Sequence, residues 1–265
     1  MAATDFPVKL GSILFTMVEP HRGHEVEYNR WYERDHFYAG CLVGPGILAG
    51  ARFVATRRYK DLRQLPSSAI TDDPTRGSYL ALYWIERSQQ DEWGTWGAKE
   101  VHRLHKADRM FPHRDHVHTK MYRFRGGAYR DADGVPPEMA LDHRFPGLVA
   151  TIAEVPDGGD RDGVARWLVD EHLPPAIEGS STAMALVFTP VPIPDAAPKD
   201  IPRDPTDATR VTILWFVDRD PADVWEAEFA GQAKALDATG RARALWTGPF
   251  IPTVPGTDTY TDQLW

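Results

Sequence analysis

The stretch that decides the fold occurs twice, first as Tyr28-Asn29-Arg30-Trp31-Tyr32-Glu33-Arg34-Asp35-His36 and again as Ala165-Arg166-Trp167-Leu168-Val169-Asp170-Glu171-His172. In each copy an Arg-Trp pair is followed, four residues after the Trp, by an acid and then a His. The copies are offset by 136 residues, from Arg30 to Arg166 and from His36 to His172. A helix that repeats at a fixed offset indicates an internal duplication.

The repeat extends on both sides of this helix. Residues 11–18 match residues 147–154 at the same offset of 136, and the strand-like run 79–86 matches 211–218 at an offset of 132. Trp93 and Trp225 are also separated by 132 residues. Because the matches occur in order along both halves, the sequence predicts a tandem duplication.

Each half is predicted to contain two helices and four strands. Short apolar runs predict the strands, and apolar residues three and four positions apart predict the helices. The first half has strands at 12–18, 47–56, 79–86 and 117–124, and helices at 25–40 and from Ser88 to about 104. The second half has strands at 148–155, 183–189, 211–218 and 243–252, and helices at 161–173 and 220–240. This β-α-β-β-α-β order is that of the ferredoxin-like fold, so the fold class is α+β.

The domain boundaries follow from this order. Residues 1–127 form the first predicted domain, 128–146 a linker, and 147–265 the second domain. The second domain includes a Pro-rich loop at 190–205, which we expect to be an extended excursion or a lid.

Composition excludes several classes of function. The net charge of −8 is unlike that of nucleic-acid-binding proteins, which carry clustered basic residues, and it also disfavours an anionic membrane surface. No apolar run reaches the length of a membrane span. The single cysteine, Cys41, excludes an internal disulfide. We therefore predict a cytoplasmic protein without nucleic-acid or membrane partners.

The repeated helix and the strand after it resemble a known superfamily. The string Arg30-Trp31-Tyr32-x-x-Asp35-His36, followed by Gly46-Ile47-Leu48-x-Gly50-Ala51-Arg52, is similar to the dimeric α+β barrel superfamily and, within it, to the EthD-like proteins. The resemblance implies two antiparallel ferredoxin-like sheets that pair into a barrel, here within one chain. Members of the superfamily include cofactor-free monooxygenases, lactone isomerases, polyketide cyclases, dehydratases and haem enzymes, so the fold does not choose the reaction.

The first repeated helix carries the main catalytic candidates. Asp35 and His36 form an acid-imidazole pair that can move protons, and Tyr32 can donate a hydrogen bond. A structural alternative remains open, because an imidazole near a helix end also interacts favourably with the last carbonyl groups, and His172 repeats the position. The predicted substrate-binding residues are mostly aromatic: Tyr28, Trp31, Trp84, Trp93, Trp96 and Arg52.

A second constellation is rich in histidine and lies only in the first half: His102, His105, His113, His116 and His118. His116 and His118 are two apart on a predicted strand, so they should share a face, and we add both to the predicted catalytic residues. A haem or divalent-metal site in this cluster is an alternative, although no zinc spacing is present and basic neighbours oppose a cation.

These observations lead to one expected function and two alternatives. We expect a cofactor-independent acid/base enzyme, of the lyase, isomerase or cyclase type, acting on a small apolar molecule that is aromatic or polyketide-like. The site would lie in the first half, without metal, in a monomer or a homo-oligomer. The alternatives are a non-catalytic binding protein of the EthD-like kind, and a haem or metal protein using the cluster from His102 to His118.

Overall fold

The computed structural model describes residues 7–192 and 208–265. Within these ranges eight strands close into a barrel in the order β1-β3-β2-β8-β5-β7-β6-β4. The strands are β1 Leu10–Pro20, β2 Ile47–Val54, β3 Tyr79–Glu86, β4 Arg114–Tyr129, β5 Gly147–Glu154, β6 Thr182–Pro190, β7 Arg210–Val217 and β8 Arg243–Pro252.

Each half of the chain contributes four antiparallel strands in the same relative order. The first half runs β4-β1-β3-β2 and the second runs β8-β5-β7-β6. The halves join where β4 pairs with β6 and where β2 pairs with β8. The predicted α+β fold, with two ferredoxin-like sheets paired into one barrel, is confirmed.

The strands are apolar on both faces because both faces are covered. Along β3, Trp84 points into the barrel, where its ring lies 6.1 Å from that of Phe188. The adjacent Tyr83 points outward, and its ring lies 5.3 Å from Phe37 of the first helix. A strand covered in this way has a continuous apolar run rather than an alternating one.

The helices change pitch at equivalent places in the two halves. In the first half, α1 Glu25–Trp31 continues as a π-helical segment, Tyr32–Leu42. In the second half, α4 Arg161–Trp167 continues as the π-helical segment Leu168–His172. The remaining helices are α2 Arg57–Lys60, α3 Gln90–Lys106, α5 Leu173–Ile177, α6 Pro221–Val224, which continues as π-helical Trp225–Phe229, and α7 Gln232–Ala238.

Two predicted helix ends differ from the structure and one agrees. The first helix does not stop at Gly40 but runs to Leu42. The second helix begins at Gln90 and not at the predicted Ser88, because Ser88 has a φ of 78° whereas an N-cap residue needs an extended backbone. Asp220 is an N-cap as expected, and its Oδ1 accepts the N–H of Ala222 at 2.9 Å.

The segment predicted as a linker, 128–146, is docked against the barrel. Its first two residues belong to β4, which ends at Tyr129. Trp84 Nε1 donates to the carbonyl of Pro137 at 2.7 Å, and Glu138 Oε1 accepts the N–H of Leu10 at 3.0 Å. Phe145 is buried. The segment therefore covers one end of the barrel; the division of the chain into two domains stays a prediction.

The Pro-rich loop lies after β6, and the tail of the chain lies after β8. β6 ends at Pro190, and residues 193–205 of the predicted loop lie outside the described residues. In the tail, Leu264 is fully buried and Trp265 Nε1 donates to Glu25 Oε1 at 2.6 Å. Among the described helices, none has both the length and the apolar character needed to cross a membrane.

Candidate functional site

His36 lies on the first π-helical segment, beside Arg114 and His116 of β4. Its imidazole stacks on Trp31 with ring centroids 4.6 Å apart and an interplanar angle of 18°. Tyr32 meets the ring edge-on at 5.4 Å. Residues five apart do not face each other on an α-helix, so the wider turn is what brings Trp31 under His36.

The imidazole of His36 is held in its neutral form. Burial lowers its pKa to about 3, and the positive charges of Arg114 and His116 act in the same direction, while Asp35 opposes them. Nδ1 is buried without a hydrogen-bond partner. Nε2 also makes no hydrogen bond within residues 7–192 and 208–265, and the residue as a whole is only partly buried. A lone pair is therefore available on an uncharged ring.

Gly40 provides the space for this ring. A β-carbon at position 40 would lie 2.6 Å from Cε1 and 2.7 Å from Nδ1 of His36. Such distances are far inside van der Waals contact, so any side chain at this position would displace the imidazole. The sequence predicts Gly40 as a helix stop, whereas its role in the structure is steric.

Asp35 faces away from the imidazole and toward α3. It forms an ion pair with Arg109, whose Nε donates to Oδ2 at 3.1 Å. The hydrogen bond from Arg109 lowers the pKa of Asp35. The carbonyl of Arg109 also accepts a hydrogen bond from the indole Nε1–H of Trp31 at 2.7 Å. Asp35 therefore anchors the helix, and the predicted Asp35-His36 acid/base pair is not hydrogen-bonded.

The tyrosines predicted for the site form a buried polar layer next to His36. Tyr32 and Tyr83 are linked through their hydroxyl groups at 3.0 Å, and burial raises the pKa of both well above the usual value. Tyr28 contacts Trp31 and Tyr32, and burial raises its pKa to about 12. These phenols remain protonated at neutral pH, so they can donate hydrogen bonds but cannot act as bases.

Arg52 extends this layer toward β2. Its Nη1 lies 2.9 Å from Glu33 Oε1 and donates to Asn29 Oδ1 at 2.8 Å. Its guanidinium carbon lies 4.7 Å from the Tyr32 ring centroid. The predicted substrate-binding arginine is therefore a buried, paired group.

His116 and His118 lie on opposite faces of β4, contrary to the prediction. The register shifts at Val117, because Met17 pairs with His118 whereas the next residue, Val18, pairs with His116. A bulge of this kind inserts one residue, and the side chains on its two sides then face opposite ways. His116 Nδ1 bonds Thr119 Oγ1 at 2.7 Å on the helix side, near His36. His118 Nε2 bonds Tyr122 at 2.6 Å, and its ring packs on Phe15 inside the barrel.

The other histidines of the cluster do not converge with these two. His102 Nδ1 bonds the carbonyl of Ala98 at 2.6 Å on the exposed face of α3, and His105 is exposed. His113 stacks on His24 at 3.9 Å. Among the described residues, no group of three or more His, Cys, Asp or Glu could hold a metal ion. A metal site that joins three or more residues of the cluster from His102 to His118 is therefore not formed by the described residues, whereas a haem that takes a single histidine of the cluster stays an alternative.

Three of the predicted tryptophans lie apart from His36. Trp84 is inside the barrel, on the opposite face of β3 from Tyr83. Trp93 donates to the carbonyl of Cys41 at 3.3 Å, and Trp96 packs beside it. Both press on Gly44, where a β-carbon would lie 2.6 Å from Trp93 and 2.7 Å from Trp96. They fix the end of the first helix and do not line the space beside His36.

The second half repeats the Trp-His ring contact, with the rings tilted by 35°, but without the polar surroundings. His172 lies 4.8 Å from Trp167, and burial lowers its pKa. Leu168 occupies the position of Tyr32 and is fully buried. Arg109 and Arg114 were not assigned to the site from the sequence, because both lie outside the repeated motif. The steric role of Gly40 was missed as well, because a glycine near a helix end is usually a helix stop.

Comparison with solved structures supports the fold. An anthrone oxidase-like protein is 9% identical, with a TM-score of 0.56 over 95% of this chain and 98% of its own. A candidate chlorite dismutase is 10% identical, with a TM-score of 0.51 over 97% of this chain and 100% of its own. A dye-decolorizing peroxidase from Bacteroides thetaiotaomicron VPI-5482 is 9% identical, with a TM-score of 0.50 over 98% of each chain. The chain has the fold of the dimeric α+β barrel proteins.

Sequence comparison adds no closer relative. No model of a known protein family matches the chain. No curated protein matches it. The finer resemblance to EthD-like proteins is not confirmed, and at these identities the structural likenesses establish the fold alone.

Two expectations from the sequence are contradicted by these likenesses. The similar structures are those of oxidative enzymes, so the predicted lyase, isomerase or cyclase reaction is wrong. The predicted absence of a cofactor is contradicted for the same reason, because the similar structures include a candidate chlorite dismutase and a dye-decolorizing peroxidase. The sequence motif identified the fold, but it carried no information on the reaction.

The donor chemistry at His36 fits a haem. Haem iron is bound by a neutral imidazole nitrogen, and a protonated or fully hydrogen-bonded ring cannot serve. Nδ1 of His36 is enclosed against Gly40, so the nitrogen that would bind an iron is Nε2, which makes no hydrogen bond within residues 7–192 and 208–265. Trp31 covers one ring face and Tyr32 meets the ring edge-on, which fixes its orientation.

Proposed function

We propose that the chain is a haem-dependent oxidative enzyme and that His36 supplies the ligand to the haem iron. The observation that carries the proposal is the neutral imidazole of His36, whose two nitrogens make no hydrogen bond in the described part of the chain. When bound, the haem would supply the oxidising chemistry at its iron. The likeness to an anthrone oxidase-like protein and a dye-decolorizing peroxidase supports the oxidative class.

The residues around His36 have distinct parts in this proposal. Trp31 and Gly40 orient the ring from two sides, one by stacking and the other by leaving space. Arg114 and His116 disfavour a proton on the ring and so keep its lone pair available. The ion pair of Asp35 with Arg109 holds the helix at the end of α3. None of these groups needs to gain or lose a proton for the ring to bind a metal.

The substrate class follows from the surroundings of the ring. Tyr28, Trp31 and Phe111 form a cluster with centroids 5.6 to 6.0 Å apart, in which Tyr28 is buried and the partly exposed Trp31 and Phe111 present apolar surface next to His36. Apolar and aromatic walls with a few polar groups are typical of small-molecule sites. We infer a small aromatic substrate that is oxidised; a cytoplasmic location and a monomeric or homo-oligomeric state stay predictions.

Haem titration of the purified chain tests the proposal. Wild-type protein should bind haem and give a Soret absorbance band typical of histidine ligation. His36→Gly should lose that band, because the replacement has no ligand, and added imidazole should restore it by occupying the space left. The loaded wild-type protein should also oxidise a dye with hydrogen peroxide.

Two matched variants serve as controls. His172→Gly removes the equivalent residue of the second half, and His118→Gly removes a buried histidine on the barrel side. Both should retain the Soret band of the wild type. If His36→Gly binds haem with an unchanged spectrum while His172→Gly does not, the ligand lies in the second half and the assignment to His36 is wrong.

A further inference from the structure

The two strand pairings that join the halves, which we call seams, differ in length. β4 and β6 pair over seven residues, from Tyr122 with Pro190 to Tyr129 with Met184. β2 and β8 pair at two positions, Phe53 with Pro252 and Val54 with Ile251. The first part of β2 therefore has no strand beside it on the β8 side.

A cavity of about 460 Å³ occupies this gap. Its walls come from the first π-helical segment, β2, the segment that covers the end of the barrel, Phe216 of β7, and the end of β8 with the chain after it. The aromatic residues of the lining include Phe37, Phe53, Phe145 and Phe216, and its basic residues are Arg34, Arg52 and Arg144. The volume lies in the range of small-molecule sites, and His36 is not part of the lining.

The cavity combines aromatic walls with unpaired positive charge. Arg34 and Arg144 are exposed, and neither has a carboxylate within ion-pairing distance in residues 7–192 and 208–265. Glu33 is balanced by Arg52 at 2.9 Å, and Asp142 is the one remaining acid of the lining. Arg52 also has a buried Nη2 with no acceptor. The balance of positive and negative side chains in the lining therefore favours an anionic ligand.

The backbone at Arg144 supports a binding role for this cavity. Its φ is 58°, in the left-handed region that residues other than glycine rarely adopt. The neighbouring Phe145 is anchored on Phe216 at 5.4 Å, so the strained residue lies directly beside a fixed aromatic wall. Strain of this kind persists where the surrounding structure holds it, and it is concentrated at binding sites.

We propose that this cavity binds a planar aromatic carboxylate. The ring would lie among Phe37, Phe53 and Phe216, and the carboxylate would accept hydrogen bonds from Arg34 and Arg144 at the mouth. Guanidinium groups recognise carboxylates through paired N–H donors, which supplies the selectivity for an acid over a neutral aromatic. The site is separate from His36 and does not rest on the proposed haem function.

Calorimetric titration of the full chain, without haem, tests this site. The probe is 1-naphthoate, and its uncharged counterpart is 1-naphthamide. Wild type should bind naphthoate saturably and more tightly than naphthamide. The double variant Arg34→Gln/Arg144→Gln should weaken naphthoate binding by at least about tenfold and leave naphthamide unchanged, since only the charged contacts are lost.

Two further variants make the result decisive. Ala51→Phe fills the cavity from β2 and should abolish binding of both probes; far-UV circular dichroism and thermal unfolding establish whether it folds. Arg123→Gln, an exposed arginine outside the lining, should leave both affinities unchanged. The proposal is overturned if naphthoate does not bind wild type, or binds the double variant and wild type equally. Neither result would bear on the Soret band of His36.

Discussion

At Gly40 the chain omits a side chain because the imidazole of His36 occupies the space a β-carbon would need. Gly40→Ala should therefore destabilise the protein, by about 1–3 kcal/mol in the free energy of unfolding, since the ring must leave its stack on Trp31. Urea unfolding measures this. Gly94→Ala is the control: it lies in α3 with nothing within 4 Å of the new β-carbon and should stabilise the helix by about 0.5–1 kcal/mol. Equal effects at both positions would contradict the steric role.

The low pKa of His36 links its burial to acid stability. The folded pKa is about 3 and the usual pKa is 6.5, so below pH 6.5 the unfolded chain takes up a proton that the folded chain does not. The stability contributed by the neutral ring is thus complete above pH 6.5 and is lost as the pH falls toward 3.

His36→Phe should remove this dependence. Relative to the variant, wild type should lose up to about 1.4 kcal/mol of unfolding free energy per pH unit below pH 6.5. Urea unfolding at pH values of about 7, 5.5 and 4.5, which span the onset of this loss, measures the difference. If the free energy of unfolding of the two proteins changed with pH in the same way, the His36 ring would not be desolvated in solution.

At the scale of elements, the π-helical turn brings a Trp ring and a His ring together in both halves. Trp31→Leu loses the stack on His36 and the hydrogen bond of Trp31 Nε1 to the carbonyl of Arg109 at 2.7 Å. Trp167→Leu loses the tilted ring contact with His172, the contact with Arg241 and apolar packing, but no indole hydrogen bond within the described residues. We expect the first variant to be less stable than the second by about 1 kcal/mol, measured by urea unfolding. The reverse order would indicate that the second half depends more on its stack.

Helices and strands whose apolar pattern lies within a single segment could be predicted from the sequence. The apolar run at β3 and the duplicated Trp-x-x-x-acid-His helix predicted strands and helices in two similar halves, and the resemblance of that helix to a known superfamily implied the barrel. Prediction failed where one residue changes a register: the bulge at Val117 separates His116 from His118, and the π-helical turn carries the helix past Gly40. Partners supplied by distant segments, such as Arg109 for Asp35, could not be predicted either, because no local pattern encodes them.

For the whole molecule, the unequal seams predict where the barrel opens. The two-residue contact of β2 with β8 carries fewer ladder hydrogen bonds than the seven-residue contact of β4 with β6. Peptides covering Ile47–Val54 should therefore exchange amide hydrogens faster than peptides covering Tyr79–Glu86, because β3 is paired along its length on both sides whereas β2 is paired along its length only with β3. Hydrogen exchange followed by mass spectrometry measures both in one sample. Equal exchange in β2 and β3 would show that the short pairing with β8 protects β2 as fully as a continuous ladder does.

The position of the π-helical turns also indicates that the extra residue in the helix is older than the duplication of the chain. The turns begin at Tyr32 and at Leu168, at the same offset of 136 that separates the two copies of the motif. A π-helical turn holds one residue more than an α-helical turn. An extra residue at the same place in both halves is most simply inherited, so the single-domain ancestor already carried it.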